Sequence, residues 1–243
     1  MNWNGKRYWL VGASEGLGRA LAEKLSAKGA TLILTARSED RLTALASSLP
    51  GPAEVVTCDI SSEESMNAAG AKLGHVDGVV FLAGVYWPMN AAEWDGKQAL
   101  AMADINFTGA FRVLNQVMPQ FIKRDAGHVV VTGSLSGFRG LPKAVGYSAS
   151  KAGVMTLAES MYADLRETGI RVQVANPGFI KTRLTDKNEF QMPFIMEPEG
   201  AAQVMVDHME KGGFKRSFPT LFSLLFRFSQ FWPDWLYYRV FKP

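Results

Sequence analysis

The sequence predicts an α/β fold: one doubly wound parallel sheet with helices on both faces, a single domain over residues 1–243 carrying an aromatic-rich C-terminal extension at 220–243. Three observations predict it. Apolar, β-rich runs alternate with longer stretches of helical period. The runs are short and apolar almost throughout, as strands buried on both faces must be. A glycine-rich turn joins the first run to the first helical stretch.

Arg7 to Val11 reads as the first strand, and Gly16 to Lys28 as a helix with Leu17, Ala20, Leu21 and Leu25 on one face. Thr31 to Ala36 is the next strand, Arg41, Leu42 and Leu45 mark the next helix, and Glu54 to Asp59 is the third strand. Ser61 and Ser62 stand where a hydroxyl caps the free N–H groups of a helix running toward Lys72. Gly78 to Leu82 is a strand, Leu100 to Lys123 a long helix, and His128 to Ser134 a strand. Gly146 to Thr168 is a second long helix and Arg171 to Asn176 a strand. Thr182 to Pro198 carries charges, prolines and scattered apolar residues, and reads as a mobile loop. Phe214 to Phe218 fits a last strand, ended by Pro219.

Composition narrows the function classes. Hydrophobic residues make up 47% of the 243 residues and charged ones 20%, enough for a large core. A net charge of +3 with no basic run argues against nucleic acid as a partner. Cys58 is the single cysteine, so no disulfide forms within the chain, which suits a reducing compartment. His75, His128 and His208 lack metal-ligand spacing, and no metal site is expected. Few polar residues precede the first strand, so no signal peptide is expected, and no run reaches the ~20 apolar residues of a bilayer span. The expected location is cytoplasmic, with membrane association through the extension held open.

Residues 11–18 read VGASEGLG, placing Gly12, Gly16 and Gly18 between the first strand and the first helix. Glycine there lets the backbone approach a pyrophosphate, and the helix start offers free N–H groups with partial positive charge. This is a Rossmann-like arrangement. An NAD-binding fold of this kind usually ends its second strand with an acidic residue on the ribose hydroxyls; here Ala36 and then Arg37 occupy that place. A guanidinium pairs with phosphate through a rigid fork of donors, so NADP(H) is predicted over NAD(H), with Ser14 adding a hydroxyl.

Tyr147 and Lys151 lie four residues apart at the start of the second long helix, so they share a face. An ammonium beside a phenol favours the phenolate, lowering its pKa toward a useful acid/base range. With Asn106, with Ser134 thirteen residues before Tyr147, and with the segment NPGFIKT at 176–182, the motifs stand in one order. In that order and spacing the sequence resembles the classical short-chain dehydrogenase/reductase family, from Val11 to about Pro219.

The resemblance implies a carbonyl–alcohol oxidoreductase. Tyr147 would exchange a proton with the substrate oxygen, Lys151 would tune Tyr147 and bond the nicotinamide ribose, Ser134 would hydrogen-bond the carbonyl oxygen, and Asn106 would hold a water leading from Lys151 to solvent. Asp59 would contact the adenine. Pro177, Gly178, Ile180 and Thr182 would position the nicotinamide. Glu15, Leu17, Ile60, Ala83 and Gly84 fall at the remaining cofactor-lining positions. Two positions depart from the family pattern. Phe81-Leu82 replace a common Asn-Asn before Ala83-Gly84, so apolar packing must substitute for amide bonds. Val11 replaces a common Thr before Gly12, removing one hydroxyl from the turn.

Val85, Tyr86, Trp87 and Met89 follow the fourth strand, and Phe138, Phe179, Phe190, Met192 and Phe194 are further candidates for an apolar substrate lining, with core or interface packing as the competing reading. From Lys211 to Pro243 the chain has six Lys/Arg against Asp234 and eleven aromatics. Leu221, Phe222, Leu224, Leu225 and Phe228 suggest an apolar helix, and Pro233-Asp234-Trp235 a final turn or short helix. Three readings compete for this tail: packing over the site or a second subunit, peripheral membrane contact, or core filling. The leading function is an NADP(H)-linked oxidoreductase acting on a small-molecule carbonyl or alcohol, as a homo-dimer or homo-tetramer. The alternatives are a non-catalytic NADP(H)-binding or redox-sensing protein and a membrane-peripheral interaction protein.

Overall fold

The computed structural model describes residues 1–188 and 190–242. Glu189, inside the expected loop, and Pro243, at the end of the expected extension, lie outside the described residues. The strands are β1 (Arg7–Val11), β2 (Thr31–Thr35), β3 (Ala53–Val55), β4 (Gly78–Phe81), β5 (Gly127–Thr132), β6 (Ile170–Pro177) and β7 (Lys215–Phe218). They form one sheet in the order β3-β2-β1-β4-β5-β6-β7, every pair parallel. Val11 sits between Thr35 and Phe81, and Thr132 beside Ala175, so the strand ends that carry the key motifs lie along one edge of the sheet.

The helices are α1 (Gly16–Ala27), α2 (Glu39–Ser48), α3 (Glu63–Gly70), α4 (Gly96–Ala103), α5 (Gly109–Arg124), α6 (Val145–Leu165), α7 (Pro198–Lys211), α8 (Thr220–Ser229) and α9 (Asp234–Val240). Alternation along each strand sorts them into two layers. Trp9, Val11, Val79, Phe81, Val129 and Val131 face α3, α5 and α6. Tyr8, Leu10, Leu32, Leu34, Val80 and Val130 face α1, α2 and α7. Both layers are closed cores, so the sheet is buried on each side. Among the described residues, no helix is long and apolar enough to cross a membrane.

Several element bounds differ from the sequence expectation, each for a local reason. The third strand ends at Val55, although Val56 N–H and Cys58 N–H still donate to Leu34 O and Ala36 O at 3.0 Å. The long helix starts at Gly96, because the Asp95 carboxylate accepts from the N–H groups of Lys97 and Gln98. It is interrupted by a π turn at Asp104–Thr108 before α5 resumes. The stretch after Pro198, which sequence reading assigned to nothing, is the helix α7. Pro198 opens it, and Ala201, Ala202, Met205, Val206 and Met209 form its buried face. The expected loop at 182–198 holds a 3₁₀ turn at Thr185–Lys187 and is tied at both ends, with Lys181 N–H donating to Met196 O and Met196 N–H to Phe179 O, each at 2.9 Å.

Candidate active site

The sheet reverses direction of growth between β1 and β4, which is where open α/β sheets form ligand crevices. Two turns meet there. Gly12 has φ +98° and Gly16 φ +53°, conformations that favour glycine. A Cβ on Gly12 would come within 2.6 Å of Ala83 N, and one on Gly18 within 2.0 Å of Gly12 O. A Cβ on Gly16 would meet Thr182 Cγ2 at 2.8 Å, bringing the turn against the segment after β6. The turn lacks a Thr hydroxyl at Val11, yet Gly12 N–H and Ala13 N–H both donate to Thr35 O, at 2.7 and 3.1 Å. Val11 and Phe81 are buried in the core, so apolar packing does occupy the positions that depart from the family pattern.

The other candidate nucleotide residues line the same edge, with different commitments. Arg37 is exposed at the end of β2 and, among the described residues, pairs with no carboxylate. Asp59 accepts from Ser61 Oγ at 2.6 Å and Ser61 N–H at 3.0 Å, and these bonds, with Arg37 and Arg112 nearby, hold its carboxyl below the usual range. Ser14 lies part-exposed in the turn. Glu15 is already engaged: its carboxylate pairs with Arg41 at 2.7 Å and Arg183 at 2.8 Å. Leu17 packs against one core and Ile60 is buried in the other. Gly84 opens onto the next group, since a Cβ there would stand 3.7 Å from Lys151 Nζ.

Asn106 lies in the π turn and is fully buried. Its Oδ1 accepts from Val85 N–H at 2.7 Å, and its Nδ2 donates to Val85 O at 2.9 Å and Ser150 Oγ at 3.0 Å. Ser150 Oγ in turn donates to Tyr147 O at 2.8 Å. The amide therefore ties the end of β4 to the first turn of α6, rather than facing open space. π turns recur at functional sites, and this one delivers Asn106 to that junction.

Tyr147 and Lys151 do share a face of α6, but their electrostatics run against the simple expectation. Lys151 Nζ donates to Thr132 O at 2.8 Å and lies 5.8 Å from the Tyr147 ring centre. Burial pushes the Tyr147 phenol up to about 12, with the neighbouring Ser134 hydroxyl pulling the other way. Burial also draws Lys151 down to about 8. The phenol is raised rather than lowered because desolvation of the phenolate outweighs any help from an ammonium turned toward a carbonyl. Ser134 follows β5, and its Oγ accepts from Ser136 N–H at 3.2 Å and Ser136 Oγ at 2.9 Å.

Tyr147 and Ser134 line a cavity of about 130 Å³. Its other walls are mostly apolar, with Leu135, Leu141, Leu184, Phe179 and Phe190, and from the tail Phe222 and Phe226 of α8, while Ser136, Thr185 and Asn188 add polar groups at its edge. Tyr86 closes one side, its ring 5.0 Å from that of Tyr147 and its hydroxyl donating to Asn188 Oδ1 at 2.9 Å. Pro177 and Gly178 end β6 against α8, where a Cβ on Gly178 would meet Phe222 Cδ1 at 3.3 Å. Of the other proposed lining residues, Val85 is held by Asn106, Trp87 lies under Lys187, Met89 bridges to Ala144, Phe138 packs against the core and Met192 accepts from Asn188 Nδ2. Phe194 rests on Phe222, 5.4 Å between ring centres, without lining the cavity.

A family model described as short chain dehydrogenase matches residues 6–192. The chain belongs to the short-chain dehydrogenase/reductase family. An uncharacterised oxidoreductase of Myxococcus xanthus (strain DK1622) is 38% identical over 235 residues, covering 94% of this chain and 93% of that protein. The 3-oxoacyl-acyl-carrier-protein reductase of Escherichia coli (strain K12) is 34% identical over 194 residues, covering 76% and 78%. Among solved structures, a short-chain dehydrogenase from Sphingobium yanoikuyae in complex with NADPH superimposes with a TM-score of 0.82 at 23% identity, covering 88% of each chain. A Brucella melitensis 3-oxoacyl-acyl-carrier-protein reductase with bound NAD gives 0.80 at 22% identity, covering 89% of this chain and 90% of that one. The doubly wound fold is thus the one this oxidoreductase family uses.

For the tail of this short-chain dehydrogenase/reductase, packing over the candidate site is the reading that agrees with the structure, since Phe222 and Phe226 wall the cavity; Thr132, which holds Lys151, and Ser150, which links Asn106 to Tyr147, were not anticipated. Only the phenylalanines carried a readable signal, an aromatic pair four residues apart on an apolar helix.

Proposed function

We propose that this chain is an NADP(H)-dependent oxidoreductase that interconverts a carbonyl and an alcohol on an apolar substrate. The observation that carries the reading is one cavity bordered by the Tyr147 phenol and the Ser134 hydroxyl, at the same edge of the sheet as a glycine turn too tight for any side chain at Gly12 or Gly18. Glycine lets this turn close tightly before the start of α1, whose free N–H groups suit a pyrophosphate. Gly12, Ser14, Gly16, Gly18, Asp59, Ala83, Gly84, Ile180 and Thr182 would hold the dinucleotide, whose nicotinamide supplies or accepts the hydride. Arg37, which among the described residues forms no salt bridge and follows Ala36 where an acid would stand, supports a 2′-phosphate.

The residues of the chain then divide the proton and positioning work. Ser134 donates to the substrate oxygen as charge develops on it. Tyr147 passes the proton to that oxygen in reduction and takes it in oxidation; burial favours the protonated phenol, which is the form that donates. Lys151 braces α6 on the Thr132 carbonyl, and Asn106 fixes the first turn of α6 through Ser150. The mostly apolar lining, seven of its residues phenylalanine or leucine, favours a substrate with hydrocarbon or aromatic bulk next to the carbonyl.

The test is NADPH oxidation with a panel of apolar ketones and aldehydes, run on the native chain and on Tyr147→Phe. Turnover by the native chain and a loss of at least ~100-fold in the variant, with folding unchanged, are expected from removal of a general acid. Full activity in Tyr147→Phe, or NADPH binding with no turnover on any carbonyl, would overturn the proposal.

A further inference from the structure

The apolar residues of the C-terminal extension exceed what its packing uses. The inner faces of α8 and α9 are accounted for: Phe222 and Phe226 wall the cavity, and Tyr237 is buried with its hydroxyl donating to Gly140 O at 2.9 Å. Phe226, Tyr237 and Phe241 pack on one another. Arg139 clamps the pair in place, donating to Ser229 O and Trp232 O at 2.8 Å, pairing with Asp234 and lying 4.0 Å from the Tyr237 ring centre.

The outer faces are as apolar as the inner ones. On α8, Leu221, Leu225 and Phe228 recur at helical spacing and are exposed, Leu221 by 79%. Phe231 between the helices is 83% exposed, and Trp235 on α9 69%. A surface helix normally turns polar residues outward, so a helix apolar on both sides has a second apolar neighbour. The charges say which kind. Arg227, Arg239 and Lys242 are exposed among these residues and, among the described residues, pair with no carboxylate. The single acid of the extension, Asp234, is spent on Arg139. A second copy of this chain would set like charges against like across a twofold interface. An anionic lipid surface matches both features, taking aromatic and aliphatic side chains at the headgroup boundary and attracting the cations.

We propose that α8, α9 and the turn between them seat this protein on an anionic bilayer surface, with Leu221, Leu225, Phe228, Phe231 and Trp235 entering the interface and Arg227 and Arg239 facing the headgroups. The same α8 then stands between lipid and the cavity, with Phe222 and Phe226 on its other side. This docking rests on the exposed face alone and holds whether or not the cavity catalyses the proposed reaction.

The experiment is co-sedimentation of the full chain with vesicles of phosphatidylcholine and of phosphatidylcholine with phosphatidylglycerol, alongside size-exclusion chromatography. Binding to the anionic vesicles and not to the neutral ones is expected. Arg227→Gln with Arg239→Gln should weaken it roughly 25-fold, about fivefold per basic residue. Phe228→Asp with Phe231→Asp should abolish it; both side chains are exposed, so folding and NADPH turnover serve as unchanged controls. Equal binding to both vesicle types would overturn the proposal, as would no binding to either. A face covered by a second copy would show itself as no vesicle binding and a smaller particle in the Phe228→Asp, Phe231→Asp variant.

Discussion

Lys151→Met should make this protein more stable at neutral pH while removing its activity. Lys151 is 4% exposed, and burial draws its pKa from 10.5 to about 8. At about 1.4 kcal/mol per pH unit, keeping that ammonium inside the fold at pH 7 costs about 3 kcal/mol. The substitution removes this cost and fills similar space with an apolar chain. It also leaves the Thr132 carbonyl without its 2.8 Å donor, which costs about 1–2 kcal/mol. The net is about 1–2 kcal/mol in favour of the variant, or about 2–8 °C in Tm for a chain of this size.

The pH dependence separates this reasoning from a simple packing gain. The folded pKa lies below the unfolded one, so between about pH 8 and 10.5 the unfolded chain binds the extra proton. The penalty on the native protein is therefore complete below pH 8 and fades as pH rises through that window. Urea unfolding of both proteins from pH 6.5 to 10 measures the difference directly, and it should shrink steadily above pH 8. A variant less stable than the native protein at pH 7, or a gain that stays constant to pH 10, would refute the argument.

Two further substitutions test the nucleotide side and the junction at Asn106. Arg37→Ala should lower kcat/KM for NADPH about 10- to 100-fold, the worth of one charge-assisted phosphate contact, and leave NADH unaffected; steady-state kinetics with both cofactors decides, and an equal loss with each would show that Arg37 does not read the 2′-phosphate. Asn106→Ala removes three hydrogen bonds, one buried and two part-buried, and takes their side-chain partner from Val85 N–H and Val85 O, so a loss of about 2–4 kcal/mol is expected in urea unfolding; a loss below about 0.5 kcal/mol would show that the amide is not what joins β4 to α6.

Periodicity made most of the sheet legible. β1 ends where the apolar run does and starts one residue before it, at the half-buried Arg7, because both neighbours bury Tyr8 to Val11. Helix α7 was not predicted, although Ala201, Met205 and Met209 repeat every four residues along its buried face. The π turn at Asp104–Thr108 had no signature, because one extra residue per turn shifts a helical pattern too little to read. The site was legible where local spacing sets geometry, as with Tyr147 and Lys151, or where glycine is forced, as at Gly12. It was illegible where geometry depends on long-range contacts. Nothing in residues 222–226 says that they will face Ser134, and nothing at Glu15 says that Arg41 and Arg183 will hold it.

Spacing on a helix fixes which residues are neighbours, but not where a flexible side chain ends. Tyr147 and Lys151 were expected to act on each other, ammonium on phenol. In the fold the ammonium instead reaches the carbonyl of Thr132, two residues before Ser134 on the neighbouring segment. That bond ties α6 to the end of β5, and so places the Tyr147 phenol beside the Ser134 hydroxyl. Asn106 does the same from the other side through Ser150. Two buried polar side chains are thus spent on placing a third, and the depressed pKa of Lys151 records what that placement costs. It follows that Lys151 acts first by position: a substitution that kept its charge but lost the reach to Thr132 would disturb Tyr147 as surely as one that removed the charge.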